Sequence, residues 1–568
     1  MTSAWWWTNG RARTARCYAN IGILSASIHP VALARFHDFV VLPRFSDVGL
    51  FLVKNPVKSI FTGDIHRATA LAVFCGCFLL VTAAGFWAVR WRRPDLDSPG
   101  LDEWGLAGRK FGTLVTWFLI GGDLYTAYTV IAVPAALFGA GAIGFFAIPY
   151  CIMSYPIMML VLPPLWRICH RNGYITLADY VRGRYQSRWL SVAIALTGIL
   201  ATMPYIALQL IGMREVIAAL GIRGEWPLIA AFVILAAYTY SSGLRAPALI
   251  AIVKDVMLYI VVLAAVVIIP LQLGGYGHVF AAASSTLAQH SPPASIILRP
   301  AQYTSYASLA LGSAMALMLY PHTITGTLSA GSDRVIRRNA ALMPAYNLLL
   351  GLIALLGYLA IAAGVHTANT SSAVPLLLTA VFPSWFAGFC LAAIAIGALV
   401  PAAIMSIATA NLFTRNLYGE LVHRSFFSTT MTGGQEAAMA KVISLAIKLG
   451  ALAFVLLVRA QLAIELQLLG GVWILQVFPA VVGGLFSRFF RGPALLWGWL
   501  AGMAAGTAMV SSLGLRSSIY PLHFAGQVYG VYAALPALAL NLGVAAVVSL
   551  AMKISGRSPA EDLTASVA

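Results

Sequence analysis

The chain has 568 residues, 60% of them hydrophobic and 10% charged, with a mean hydropathy of +0.85. An average soluble domain carries about 25% charged residues, so this supply is too thin to build a water-facing surface, and a soluble enzyme or nucleic-acid binder is excluded. The formal net charge of +18 sits mostly in short segments between apolar runs, as membrane topology demands, and is no nucleic-acid footprint.

In chain order, residues 1–67 come first, with Trp5–Trp7, scattered arginines and only short apolar stretches. No basic start, apolar core and small-residue cleavage site follow one another, as a signal peptide requires. This segment reads as a poorly ordered leader on the outer side, or as sequence upstream of a later start near Arg67–Thr69. Thirteen spans are then expected, at about 68–90, 111–138, 140–166, 189–213, 226–240, 250–272, 305–328, 341–364, 384–410, 441–458, 465–487, 493–513 and 530–552. Most are long enough to cross a hydrocarbon core about 30 Å thick. Placing the segment 90–93 after span 1 in the cytoplasm puts 22 Lys and Arg inside and five outside. That bias sets the orientation, with the N-terminus outside and a tail at 556–568 in the cytoplasm. Cys17, Cys75, Cys77, Cys151, Cys169 and Cys390 show no spacing suited to zinc or a disulfide framework.

An unbroken apolar helix satisfies its own backbone, so chemistry within the membrane is sought where a span breaks or carries a polar side chain. Span 2 reads FGTLVTWFLIGGDLYTAYTVIAVP, with Gly121, Gly122 and Asp123 near its middle. The glycines loosen the helix and free carbonyls for a cation, while a mid-membrane carboxylate costs about 2.5–3.5 kcal/mol and so marks a functional candidate. Its bland alternative is a packing contact with a neighbouring helix. Span 7 carries Tyr320-Pro321-His322-Thr323. Pro321 lacks a backbone donor and clashes with the preceding turn, so the helix is expected to open there. His322 lies near the span centre and is read either as a buried structural residue or as a substrate or proton site.

The broken spans are five apart, so spans 2–6 and 7–11 form two units of odd span number and opposite orientation, at about 111–272 and 305–487. Secondary transporters with inverted repeats are organised this way, with their site at the discontinuous helices. Span 9 adds small residues, with Ser406 and Thr409 three apart on one face. Their hydroxyls bond back to the helix or offer oxygen to an ion.

Three strings then resemble the sodium:solute symporter family: YITLADYVRGRYQSRWLS at 174–191, SSGLRAPALIAIVKDVMLYIVV at 241–262 and SAGSDRVIRRNA at 329–340. The resemblance covers about 68–555. GGDLYTAYTVIAVP and MLYPHT are most similar to the monocarboxylate permease branch, which carries lactate, pyruvate and related short acids. The resemblance implies an all-α polytopic fold of the leucine-transporter type, a five-plus-five inverted repeat. It also implies a sodium site made by the carbonyls of Gly121 and Leu124 with the carbonyl of Ala403 and the hydroxyl of Ser406. The family's second hydroxyl falls on Ile407, which offers no oxygen, whereas a hard cation wants several. Thr409 or Asp123 would have to compensate, and proton coupling through Asp123 is a rival. Asp255 matches a family aspartate on the ion-exit path, next to Lys254.

The expectation is a symporter of the cytoplasmic membrane, importing small monocarboxylates on a sodium or proton gradient without another cofactor. Tyr320, His322 and Thr323 would bind the substrate carboxylate; Gly121, Asp123, Leu124, Ala403, Ser406, Thr409 and Asp255 would couple the ion. The alternatives are a carrier of another small solute such as alanine or proline, and, further off, a non-transporting receptor or a membrane enzyme.

Overall fold

The computed structural model describes residues 64–90, 100–122, 124–222, 224–423, 431–457, 463–556 and 561–564. Asp123, Cys17, nearly all of the 1–67 leader, several arginines counted for topology and much of the 556–568 tail lie outside the described residues. Among the described residues, ten helices are long and apolar enough to cross a membrane, or eleven with the pair Pro300–Leu317 and Pro321–Leu328, bent by 45° at its break. The expected spans 2 and 5 are represented by shorter helices, Thr113–Gly122 with Tyr128–Ala140, and Trp226–Ser242. Length and composition therefore account for eleven of the thirteen expected crossings.

Span 9, Ser384–Leu412, is the centre of the molecule, and its most apolar stretch is entirely buried. Around it, spans pack on their counterparts five positions along the chain. The first half of span 2 meets the second half of span 7, span 3 meets span 8, span 4 meets span 9, and span 5 meets span 10. Each unit also closes in the same way: the first half of span 2 packs on span 6, and the first half of span 7 on span 11. Span 1 lies at the periphery, with large side chains such as Leu79 and Leu80 exposed, as a lipid-facing helix requires.

Close approach between spans depends on small residues, since helices in lipid gain little from burying apolar surface against each other. Gly388 on span 9 lies against the main chain of Ala70 on span 1, where an added Cβ would overlap the Ala70 carbonyl.

Three helices and a hairpin were not expected. A short helix, Leu177–Tyr185, follows span 3 and starts on Thr176, whose side chain accepts from the main-chain N–H of Asp179. Helix Tyr276–Ala288 follows span 6, and helix Ala373–Val381 precedes span 9. Between spans 12 and 13 runs an antiparallel hairpin, Ile519–Phe524 with Gln527–Tyr532, turning at Ala525 and Gly526, both with positive φ. The hairpin takes residues assigned above to the start of span 13, which instead begins at Ala534. It sits on span 7: Ser305 Oγ donates to the Gly530 carbonyl at 3.0 Å, and the Tyr532 N–H donates to Ser308 Oγ at 2.9 Å.

Gly388→Val should force span 1 away from span 9, at a cost of about 1–3 kcal/mol for overpacking. Thermal unfolding of the purified protein in detergent should show a lowered midpoint, whereas an unchanged midpoint would mean that this contact contributes little.

Candidate functional site

Span 2 is two helices, Thr113–Gly122 and Val133–Ala140, the second preceded by a wide turn over Tyr128–Ala132. Gly121 allows the break to lie flat against span 8, where a Cβ would come within 2.9 Å of the Tyr346 ring. Several of the freed main-chain groups are taken up. The Ala127 N–H donates to Gln209 Oε1 on span 4 at 2.9 Å. The N–H groups of Thr126 and Tyr128 donate to the hydroxyls of Thr129 and Thr126 at 2.9 and 3.0 Å. The Gly121 carbonyl accepts from the N–H groups of Leu124 and Tyr125, and the Leu124 carbonyl from that of Thr126.

Two carbonyls of the break go elsewhere. Lys254 Nζ, on span 6, donates to the carbonyls of Gly122 at 2.6 Å and Tyr125 at 2.8 Å. The same ammonium lies 2.7 Å from Asp255 Oδ1, and both side chains are wholly buried. Asp255 in turn accepts from the Tyr346 hydroxyl, and the Tyr125 hydroxyl donates to the Tyr346 carbonyl. The rings of Tyr125 and Tyr346 stack with centroids 4.3 Å apart. Asp255 thus joins the break of span 2 instead of standing apart from it. A buried ion pair is tolerated when its charges are also hydrogen-bonded, and this one has carbonyls on one side and a phenol on the other.

Span 7 opens where Pro321 requires it. The first helix ends at Leu317, Tyr320 is extended (φ −61°, ψ 137°), and Pro321 starts the second helix, where its missing N–H costs no hydrogen bond. Tyr320, His322 and Thr323 are all buried. The Tyr320 hydroxyl donates to the Gln467 carbonyl of span 11 at 3.1 Å, and the Thr323 carbonyl accepts from Thr327 Oγ1 at 2.8 Å. The His322 ring lies 5.2 Å from that of Tyr320 and 5.4 Å from that of Tyr205 on span 4. Tyr205 also meets Tyr128, 6.4 Å away, so one aromatic group links the breaks of spans 2 and 7. Beside Pro321 runs a narrow cleft, lined in part by Thr176, Gly198, Thr325, Ala408 and Leu412.

On span 9 the Ser406 hydroxyl donates to the Ala403 carbonyl at 2.8 Å, and that of Thr409 to the Met405 carbonyl at 2.7 Å. Ile407 is buried and apolar. Ser406 Oγ also receives Ser444 Oγ of span 10 at 3.3 Å, and Ser444 accepts from the buried Lys448 ammonium at 2.7 Å. The structure thus joins Gly121 and Leu124 with Asp255 in one group, Tyr320 with His322 in a second, and Ala403 with Ser406 in a third. Thr409 bonds only to its own helix among the described hydrogen bonds.

The sequence pointed to the pairing of Lys254 with Asp255 but not to Gln209, Tyr346, Ser444, the role of Lys448 or the bonds of Lys254 to the span 2 carbonyls. Lys448, alone within an apolar span, carried the same signal of depth and charge as Asp123. Gln209 and Tyr346 carried none, because their partners lie far away in the chain.

Gln209→Leu keeps the bulk but leaves the Ala127 N–H without its acceptor. A buried donor left unmade costs about 1–3 kcal/mol, so the melting temperature should fall. Equal melting of the leucine variant and the wild type would show that the break is held without Gln209.

Comparison with known proteins places this geometry. The sequence profile described as the sodium:solute symporter family matches residues 104–502. The chain is 52% identical over 491 residues to a monocarboxylate transport permease protein of Rhizobium johnstonii, covering 86% of this chain and 98% of the relative. It is 32% identical over 498 residues to an uncharacterized symporter, YodF, of Bacillus subtilis, with 86% and 95% covered. The sodium/proline symporter of Escherichia coli is 25% identical over 365 residues, with 61% and 70% covered. Among solved structures, a Na+-coupled sialic acid symporter in a substrate-bound outward-open state superposes with a TM-score of 0.69 at 13% identity, over 87% of this chain and 98% of that one. That likeness is one of fold, the all-α leucine-transporter type with its two inverted five-span units. The chain belongs to the sodium:solute symporter family, as a multi-pass membrane protein.

Proposed function

We propose that this protein is a secondary active symporter that imports small monocarboxylates such as lactate and pyruvate across the cytoplasmic membrane, driven by a sodium or proton gradient. The observation that carries the substrate class is the 52% identity to a monocarboxylate transport permease, extending over 98% of that relative. Geometry supports the same reading. Helix Pro321–Leu328 starts inside the protein, and the N-terminal end of a helix favours an anion. The His322 imidazole and the Thr323 hydroxyl stand in its first turn, and a neutral imidazole can donate one hydrogen bond to a carboxylate.

In this reading the span 7 break takes the substrate carboxylate through Tyr320, His322 and Thr323, and the span 2 break, with Asp123, handles the ion. The aromatic group Tyr128, Tyr205 and Tyr320 lies between them and couples their movements. The orientation keeps the C-terminal tail in the cytoplasm, as the distribution of basic residues favours. An amino acid such as proline is the second reading, favoured by the 25% identity to the Escherichia coli sodium/proline symporter.

Purified protein in liposomes, given labelled lactate, pyruvate, alanine and proline in turn, should accumulate the first two and not the last two; the reverse preference would sink the monocarboxylate reading. His322→Ala should weaken lactate binding about tenfold or more, since a hydrogen bond to a charged group is worth about 1.5–3 kcal/mol. His322→Gln, which keeps a donor, should lose less, and wild-type affinity in both variants would make His322 structural. Asp123→Asn should abolish gradient-driven accumulation while lactate exchange persists. Accumulation at the wild-type rate would remove Asp123 from coupling.

A further inference from the structure

The break of span 2 already holds a cation, and the cation belongs to the chain. Lys254 Nζ is surrounded by the carbonyls of Gly122 and Tyr125 and by the Asp255 carboxylate, at 2.6, 2.8 and 2.7 Å. Two carbonyls and a carboxylate are the ligands that a hard cation takes from a protein. Gly122 and Tyr125 are three residues apart, the separation that the family resemblance implies for the sodium ligands Gly121 and Leu124. Those two carbonyls are instead engaged by main-chain N–H groups of the break itself.

The span 9 half of the implied sodium site shows the same substitution independently. Its second hydroxyl is replaced by Ile407, and its remaining one, Ser406, is tied through Ser444 to the buried ammonium of Lys448. A free cation at the span 2 half would have to displace an ammonium that two carbonyls and a carboxylate already hold.

We infer that Lys254 is a tethered replacement for the coupling cation: its ammonium fills the oxygen shell at the span 2 break, and no sodium ion binds there. This rests on reading the chain as an ion-driven carrier, and it narrows the choice of driving ion at that position. It also makes Lys254 the residue that determines cation specificity. Cutting the side chain back to Cβ would leave the Asp255 carboxylate and two carbonyls facing the vacated space, a set suited to sodium.

The test is thermal unfolding of full-length purified protein in sodium chloride against choline chloride, for the wild type and Lys254→Ala. A ligand that binds only the folded state raises the midpoint in a saturable way. Sodium is expected to stabilise Lys254→Ala saturably and by more than it stabilises the wild type. An equal response in both proteins, or a wild-type response lost in the variant, would overturn the inference. Where Lys254→Ala does not fold, Lys254→Ser, which adds a hydroxyl oxygen to the shell, takes its place with the same two outcomes. Should neither variant fold, the wild type alone decides: saturable stabilisation by sodium overturns the inference, and its absence supports it. Labelled lactate exchange, measured on the same wild-type preparation in liposomes, separates the two readings. Exchange in neither salt counts against the substrate class and leaves the melting comparison to decide the cation site.

Discussion

A helix opened inside a membrane exposes main-chain groups that water cannot reach, and each one left unpaired costs several kcal/mol. That constraint organises the centre of this protein. Span 2 opens over residues that supply carbonyls and N–H groups in excess, and the neighbouring spans are furnished to receive them. Gln209 of span 4 takes one donor, Thr126 and Thr129 take others, and the Lys254 ammonium of span 6 takes two acceptors. The opening is therefore held by side chains from two other spans, so movement of either span changes the hydrogen bonding of the break. In a carrier that alternates between two faces of the membrane, this is a means of passing movement from the span 2 break to the helices around it.

The two breaks solve the same constraint differently. Span 7 needs little help, because Pro321 brings no N–H to satisfy and Tyr320 turns the chain in a single extended residue. Its second half then presents the start of a helix. Span 2 has no proline at its opening and depends on glycines and borrowed side chains. One break thus presents the start of a helix, and the other presents carbonyls that the Lys254 ammonium takes up. The aromatic residues Tyr128, Tyr205 and Tyr320 connect them across the interior.

Much of this was legible in the sequence, for identifiable reasons. Apolar run length located the spans, the Gly121-Gly122 pair located one break and Pro321 the other, because each acts on its own stretch of chain. The five-span offset between the breaks pointed to paired units, and the packing of span 3 on 8 and span 4 on 9 follows it. Of the hairpin at 519–532, residues 530–532 read as the start of span 13 and the rest as the connection before it. Asp255, which matches a family aspartate on the ion-exit path, lies in the group that holds the span 2 break, where Tyr346 and Lys254 fix it. The bonds from Tyr346 to Asp255 and from Lys254 to Gly122 and Tyr125 join residues about 90 to 130 positions apart, and no local pattern encodes them. The hydroxyls of span 9 were legible as residues but not as a chain of bonds, since Ser444 and Lys448 complete that chain from another span.

The central claim is that the carbonyls of the span 2 break are held by a lysine and not by a free ion. An electron cryo-microscopy map of the protein in lipid and in sodium chloride, sharp enough to resolve the carbonyls of the break, tests it most directly. The account predicts continuous side-chain density from Lys254 to within hydrogen-bond distance of the carbonyls of Gly122 and Tyr125. Lysine density turned away from the break, with a separate ion between those carbonyls and Asp255, would contradict it.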